Sequence, residues 1–134
     1  MSRIESVRTE AAPAPVIGAP YSQGVTAPCG RMVFVSGQLP LDPATGELDG
    51  TDMTSQARRS LANVRAILEA AGAGMADVVK TTIFLTDMAD FAAMNAVYAE
   101  AFAGHAPARA TVGVAALPLG AIVEIEAIAM VPGG

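Results

Sequence analysis

The 134-residue chain has one cysteine, one histidine and no tryptophan. A lone Cys29 closes no disulfide within the chain, and with His105 as the only histidine a Cys/His metal cage cannot be built from one copy. Cofactor-free chemistry is the resulting expectation. Basic residues are also scarce: 8 Lys and Arg against 13 Asp and Glu leave a formal charge of -5. Nothing resembles an electrostatic footprint for a phosphate backbone, so no nucleic-acid partner is expected. No apolar run reaches the roughly 18 residues needed to span a bilayer, so no membrane partner is expected either. The opening MSRIESVRTEAAPAP places charges and prolines where a signal peptide needs a continuous apolar stretch, and a cytoplasmic location follows as an expectation.

Apolar side chains, by contrast, are abundant. Hydrophobic residues make up 52% of the chain and charged ones 16%, which excludes a disordered polymer and is too apolar for a small monomer to hide alone. The length suits one domain. We read residues 1–15 as a loose, proline-containing arm and 16–134 as a single domain that oligomerises.

Local pattern gives the elements. Tyr21 to Ala27 and Arg31 to Gln38 read as strands joined into a hairpin by the Pro28-Cys29-Gly30 turn, and after the turn Asp42 to Gly46 the pair Glu47-Leu48 offers a short edge strand. From Met53 to Ala71, the residues Ala57, Leu61, Val64, Leu68 and Ala71 recur at helical spacing, with Thr54 or Ser55 as cap and Gly72 as stop. Val78 to Thr86 is a β-branched strand. A second helix from about Asp90 to Ala103 has Phe91, Met94, Tyr98 and Phe102 as its inner stripe. Thr111 to Val114 and Ala121 to Met130 complete an α+β order of ββαβαββ with a possible extra edge strand.

Charges in the apolar stretch from Pro107 to Ala129 need partners or a task. Arg109 carries a planar, permanently charged fork suited to gripping a carboxylate through two parallel hydrogen bonds. In the last strand Ile122, Glu124, Glu126, Ile128 and Met130 share one face while Val123, Ile125, Ala127 and Ala129 share the other. Two helices cover one face of such a sheet, and the chain holds nothing further to cover the second. Other subunits are expected there, with the carboxylates at or near the contact.

Four motifs, Ile17 to Gln23 (IGAPYSQ), Val35 to Pro43 (VSGQLPLDP), Val79 to Asp87 (VKTTIFLTD) and the Pro107 to Ala129 block, occur in order over nearly the whole chain. Together they resemble the RidA (YjgF-type) family of reactive enamine/imine deaminases. The resemblance implies a chorismate-mutase-like α+β fold with a mixed sheet and two helices on one face. It also implies a homotrimer with active sites between subunits, and cofactor-free hydrolysis of enamines and imines such as 2-aminoacrylate to 2-keto acids and ammonia. Arg109 then anchors the substrate carboxylate, and Glu124, at the matching family position, serves as general acid/base or positions the water. Ser36 and Gly37 offer a hydroxyl and backbone N–H groups; Tyr21 is a pocket wall or gate; Asn95 lies near the pocket. Thr111 stands where several relatives carry cysteine, which removes thiol chemistry at that position.

Each role has a plain structural counterpart. Arg109 and Glu124 could be partners in ion pairs, Tyr21 simple packing, Ser36 and Gly37 a strand end, and Asn95 a helix-to-loop bond. Glu126 is read as structural, Cys29 as incidental, His105 as bonding the carbonyls at its helix end, and Lys80 as capping an edge or pairing with Asp87. Relatives run Ile-Gly-Pro-Tyr-Ser, whereas here Ala19 stands between Gly18 and Pro20 and lengthens the loop that delivers Tyr21. A larger, aminomuconate-like enamine and a non-catalytic ligand-binding or chaperone-like trimer remain alternatives. An endoribonuclease is less favoured on charge.

Overall fold

The computed structural model describes residues 4–132; Met1 to Arg3 of the expected arm and Gly133 and Gly134 of the expected domain lie outside the described residues. Strand β1 (Glu5–Val7) pairs antiparallel with β2 (Gly24–Thr26). Then follow β3 (Gly30–Gln38), α1 (Met53–Ala70), β4 (Val78–Leu85), α2 (Phe91–Phe102), β5 (Ala108–Gly113) and β6 (Val123–Pro132). The main sheet has the order β3-β6-β4-β5 and is mixed, with β4 and β5 parallel and the other pairs antiparallel.

The expected hairpin between β2 and β3 does not form. β3 is long enough to take the ten-residue β6 as its antiparallel partner, while three-residue β2 joins β1 in a separate small sheet. A parallel bridge between Ser22 and Ala108 sets this segment at the β5 edge, across the sheet from β3. The arm read as loose is tied down through Gln23, whose Oε1 accepts from Thr9 N–H and whose Nε2 donates to the carbonyls of Thr9, Ala12 and Pro13. Glu47-Leu48 yields one antiparallel bridge, Leu41 to Leu48, rather than a strand.

Helix α1 starts at Met53 as expected, but its cap is Asp52 rather than Thr54 or Ser55. Asp52 accepts from Ser55 N–H at 2.8 Å and Ser55 Oγ returns to the Asp52 backbone, a reciprocal box that satisfies two otherwise free N–H groups. Ala57, Leu61, Val64 and Leu68 are buried along one stripe, as are Met94, Val97, Tyr98 and Phe102 of α2. Both stripes pack on Val35, Ile83, Leu85, Val123, Ile125, Ala127 and Ala129, forming the core between two helices and one sheet face. β5 begins directly after Pro107, earlier than expected, and so takes Arg109 into the ladder opposite Thr81.

The second sheet face carries no helix. Phe34 (67% exposed), Met32 and Val112 lie open on it, and Glu124 and Glu126 stand opposite Phe84 and Thr82. No helix among the described residues is long and apolar enough to cross a membrane.

Candidate functional site

Arg109 lies at the β5 edge beneath α2, ringed by aromatic faces. Its guanidinium carbon is 4.9 Å from the centre of the Tyr98 ring, 5.0 Å from Tyr21 and 5.6 Å from Phe91. Each contact is an attraction between a cation and a ring quadrupole. None supplies a hydrogen-bond acceptor. Nη1 and Nη2 are both buried and unpartnered, although a buried charged donor left unmet is costly. The ion pairs among the described residues are Arg58–Glu100 and Arg59–Asp49, and neither involves Arg109. Burial pulls the guanidinium below its ordinary pKa, opposed by Tyr98 and then Tyr21. Arginine nevertheless stays cationic at any physiological pH.

The remaining buried, unpartnered side-chain atoms among the described residues are Asn95 Oδ1 and Thr111 Oγ1. Thr111 follows Arg109 by two positions on β5 and shares its face. Asn95 sits on α2 between Phe91 and Tyr98, four and three residues away, on the stripe that meets the arginine. A cavity of about 250 Å³ lined by Val16, Tyr21, Phe91, Arg109, Ala110 and Thr111 opens here. Three of the expected residues, Arg109, Tyr21 and Thr111, are therefore brought together by the fold, and Asn95 lies on the adjoining α2 stripe outside the cavity lining.

Tyr21 is held from both sides. Its hydroxyl accepts from the Val16 N–H at 3.0 Å, and its own N–H donates to the Ala19 carbonyl. Ala19 is buried and donates back to Val16 O, closing a tight turn with Ile17 at φ 53° and Gly18 at φ 65°. Only Gly18 takes that geometry without strain, so the turn projects an exposed, strained isoleucine beside the cavity. Tyr98, fully buried, bonds Thr81 Oγ1 at 2.7 Å, and burial pushes its hydroxyl pKa up to about 12 despite that bond and the nearby Arg109.

Glu124, Ser36 and Gly37 lie elsewhere. The β4–β5 register puts Arg109 opposite Thr81, and the β4–β6 register puts Glu124 opposite Phe84. Thr81 and Phe84 differ by an odd number of positions, so Arg109 faces the helices and Glu124 faces the open side. The β3–β6 register shifts between Val35 and Gln38, and Ser36 and Gly37 form that irregularity. A Cβ at Gly37 would meet Glu124 Oε2 at 2.2 Å, so the carboxylate rests on the bare glycine backbone. Glu126 is exposed on the same face.

Two residues placed by sequence take other partners. His105 Nε2 bonds the Val78 carbonyl at 2.7 Å, on a strand rather than its own helix end. Lys80 lies mid-sheet opposite Ile128 and Ala108, and Asp87 caps the next turn through Ala89 N–H. Phe91 and Tyr98 as walls of the arginine, and Thr81 as the anchor of Tyr98, were not legible as site residues. The one available signal was the Phe91, Asn95, Tyr98 spacing, which sets a lone amide among rings.

A two-layer α+β protein with a caged, unpaired arginine in a small cavity is the class these features define. The chain belongs to the endoribonuclease L-PSP family, the RidA/YjgF family, whose model matches residues 9–131. It is 50% identical to the 2-iminobutanoate/2-iminopropanoate deaminase of Salmonella typhimurium, over 94% of this chain and 97% of that one. It is 53% identical to protein DfrA of Myxococcus xanthus, over 87% and 89%. The crystal structure of Escherichia coli TdcF with bound serine superposes with a TM-score of 0.72 at 47% identity, over 95% and 98% of the two chains. The fold is the chorismate-mutase-like arrangement of this family.

Proposed function

We propose that the chain is a cofactor-free hydrolytic deaminase converting reactive 2-enamino and 2-imino acids of the 2-aminoacrylate type to 2-keto acids and ammonia. The observation that carries this reading is the Arg109 guanidinium, buried among three rings with two unpartnered nitrogens. Such a fork is complementary to a carboxylate, which it can hold through two parallel hydrogen bonds. Among the described residues of one protomer, Arg109 is the one cation that lines this cavity. Deaminase and serine-binding relatives near 50% identity support the same chemistry.

In the reaction the enamine takes a proton at carbon to become the imine. Water adds to the imine carbon, and the resulting carbinolamine expels ammonia as its C–N bond breaks and the hydroxyl becomes the ketone. Arg109 fixes the carboxylate, so the reacting carbon is held at one place. Glu124 accepts a proton from the attacking water and returns it to nitrogen, or orients that water. Arg109 and Glu124 face opposite sides of one sheet, so a single protomer cannot bring both to one substrate. A homotrimer resolves this: Glu124, with Ser36 and Gly37, completes the arginine pocket of a neighbouring copy, and the apolar open face is covered by the same contact. The acidic net charge of -5 supports a small-molecule substrate over RNA, despite the family's name.

The test couples the protein to a dehydratase that releases 2-aminoacrylate from serine and follows pyruvate. Wild type is expected to accelerate pyruvate formation, and Arg109→Ala to lose about a hundredfold or more in kcat/KM, as two charge-assisted bonds are removed. No acceleration by wild type overturns the reading for this substrate.

A further inference from the structure

Ser60 lies in the middle of α1, fully buried, and its hydroxyl donates to the Gln38 carbonyl at the end of β3, at 2.6 Å. Farther along the helix, Asn63 donates from Nδ2 to the carbonyls of Leu39 at 3.2 Å and Leu41 at 2.9 Å. We infer that Ser60 and Asn63 are positioning residues for the proposed reaction: from the helix side of the sheet they hold the Ser36-Gly37 irregularity in place, and through it the Glu124 carboxylate on the opposite face. The inference rests on the part given to Glu124 above and adds what fixes its place.

Both residues are poorer helix formers than alanine, so local helix formation does not account for them. A serine inside a helix ordinarily turns its hydroxyl onto the carbonyl four residues back or out to solvent. The one proton of Ser60 goes to the sheet instead. The Asn63 amide has its orientation set by Arg59, whose Nε and Nη2 donate to Oδ1 at 3.2 and 2.9 Å. A turned amide would set its oxygen against two carbonyls and its nitrogen against a cation.

The clamp falls where the ladder is weakest. Val35 pairs with Ala127 and Gln38 with Ile125, so Ser36 and Gly37 together stand opposite Glu126. Such a bulge leaves its extra residue out of the ladder, and ladder bonds alone do not hold it. The Gln38 side chain ties the bulge internally, donating from Nε2 to the Ser36 carbonyl at 3.3 Å. Ser60 fixes Gln38 itself, where the bulge rejoins the ladder, and Asn63 fixes the chain as it leaves the sheet. Glu124 adjoins Ile125 on β6 and rests on the bare Gly37. A slip of the bulge therefore moves the surface under the carboxylate, and misplacing a reacting group by about 1 Å costs about a hundredfold in rate. Arg109 stands on β5, at the other edge of the sheet, outside this clamp.

The dehydratase-coupled assay tests this on wild type, Ser60→Ala, Gly37→Ala and the double variant, with the dehydratase flux varied to separate kcat from KM. Ser60→Ala is expected to lower kcat about tenfold and leave KM within about twofold of wild type. In the Gly37→Ala background, where Glu124 is already displaced, adding Ser60→Ala should change turnover by less than about twofold. Asn63→Asp keeps the acceptor for Arg59 and loses both donors to Leu39 and Leu41; it should show the same pattern, and it takes the place of Ser60→Ala if that variant does not fold. A tether that serves stability alone gives an unchanged kcat, or the same loss in both backgrounds, and either result overturns the inference while leaving the deaminase reading in place. A raised KM at unchanged kcat does so too, because it would put the clamp on the arginine half. A wild type that does not accelerate pyruvate formation removes the reading and the inference together.

Discussion

The arginine half and the glutamate half of the proposed site are built in opposite ways. Arg109 is enclosed within one chain: rings wall it on three sides, Tyr98 is locked to Thr81, and Tyr21 is held by its own loop. Glu124 lies on an open sheet face against the bare backbone of Gly37, with Phe34 and Met32 exposed on the same face. The first half binds by preorganisation, since its donors are desolvated before any ligand arrives. The second becomes a dry site only when another surface closes over it. Separating them assigns affinity to the protomer and chemistry to the assembly.

The sharpest way to break this division is to inactivate each half in a different chain. Arg109→Ala and Glu124→Gln should each abolish turnover alone. Co-expressed at equal levels, they should recover about a quarter of wild-type activity, because in a cyclic trimer each mixed assembly regains one intact site of three. No recovery would mean that both residues act from the same chain, and the division would fall.

Gly37→Ala acts on the glutamate half only. The new methyl occupies the place of the Glu124 carboxylate, which is the far end of a flexible side chain and moves aside. Turnover is expected to fall about 10- to 100-fold, as for other displaced acid/base groups, while binding of a carboxylate ligand stays near wild type. A parallel loss of ligand affinity would show that the halves are not separable.

The smallest effect concerns the arginine half and its stability. Tyr98 has its pKa raised to about 12 in the fold, so it is neutral there up to a pH at which an unfolded tyrosine has ionised. Its contribution is fully present below about pH 10, the ordinary tyrosine value, and is lost as pH rises from there through the folded value, at about 1.4 kcal/mol per unit. Tyr98→Phe should flatten this alkaline slope in denaturant unfolding at matched protein concentration, and cost about 1 kcal/mol at neutral pH by leaving Thr81 Oγ1 unpaired. An unchanged slope would place Tyr98 in contact with water.

The elements with a strong local period were legible from sequence. The stripe of α1, the Phe91 to Phe102 helix and the two-faced β6 all reduce to spacing that a single segment carries. Pairing was not: β2 meets β1 and not β3 because β6 competes for β3, and β6 lies at the far end of the chain. The Asp52 cap was overlooked because Thr54 and Ser55 are equally good by type, and only the reciprocal Asp52–Ser55 bonds decide between them. In the site, Arg109 declared itself as a charge in apolar surroundings. Its cage did not, since tyrosine and phenylalanine on a helix stripe look the same whether they fill a core or face a guanidinium. Nor was the opposition of Arg109 and Glu124 across the sheet visible, because it depends on the register of β4 against two different strands.

The open face formed by Met32, Phe34 and Val112 also bears on how such a chain fares when dilute or newly made. In the proposed trimer a lone protomer is both the precursor and the hazard. Its bare apolar face and the unpaired backbone along the outer edge of β3 accept a wrong partner as readily as a right one. Solubility and stability are then set by mass action: association outpaces misassembly when copies are plentiful, and apparent stability rises with protomer concentration.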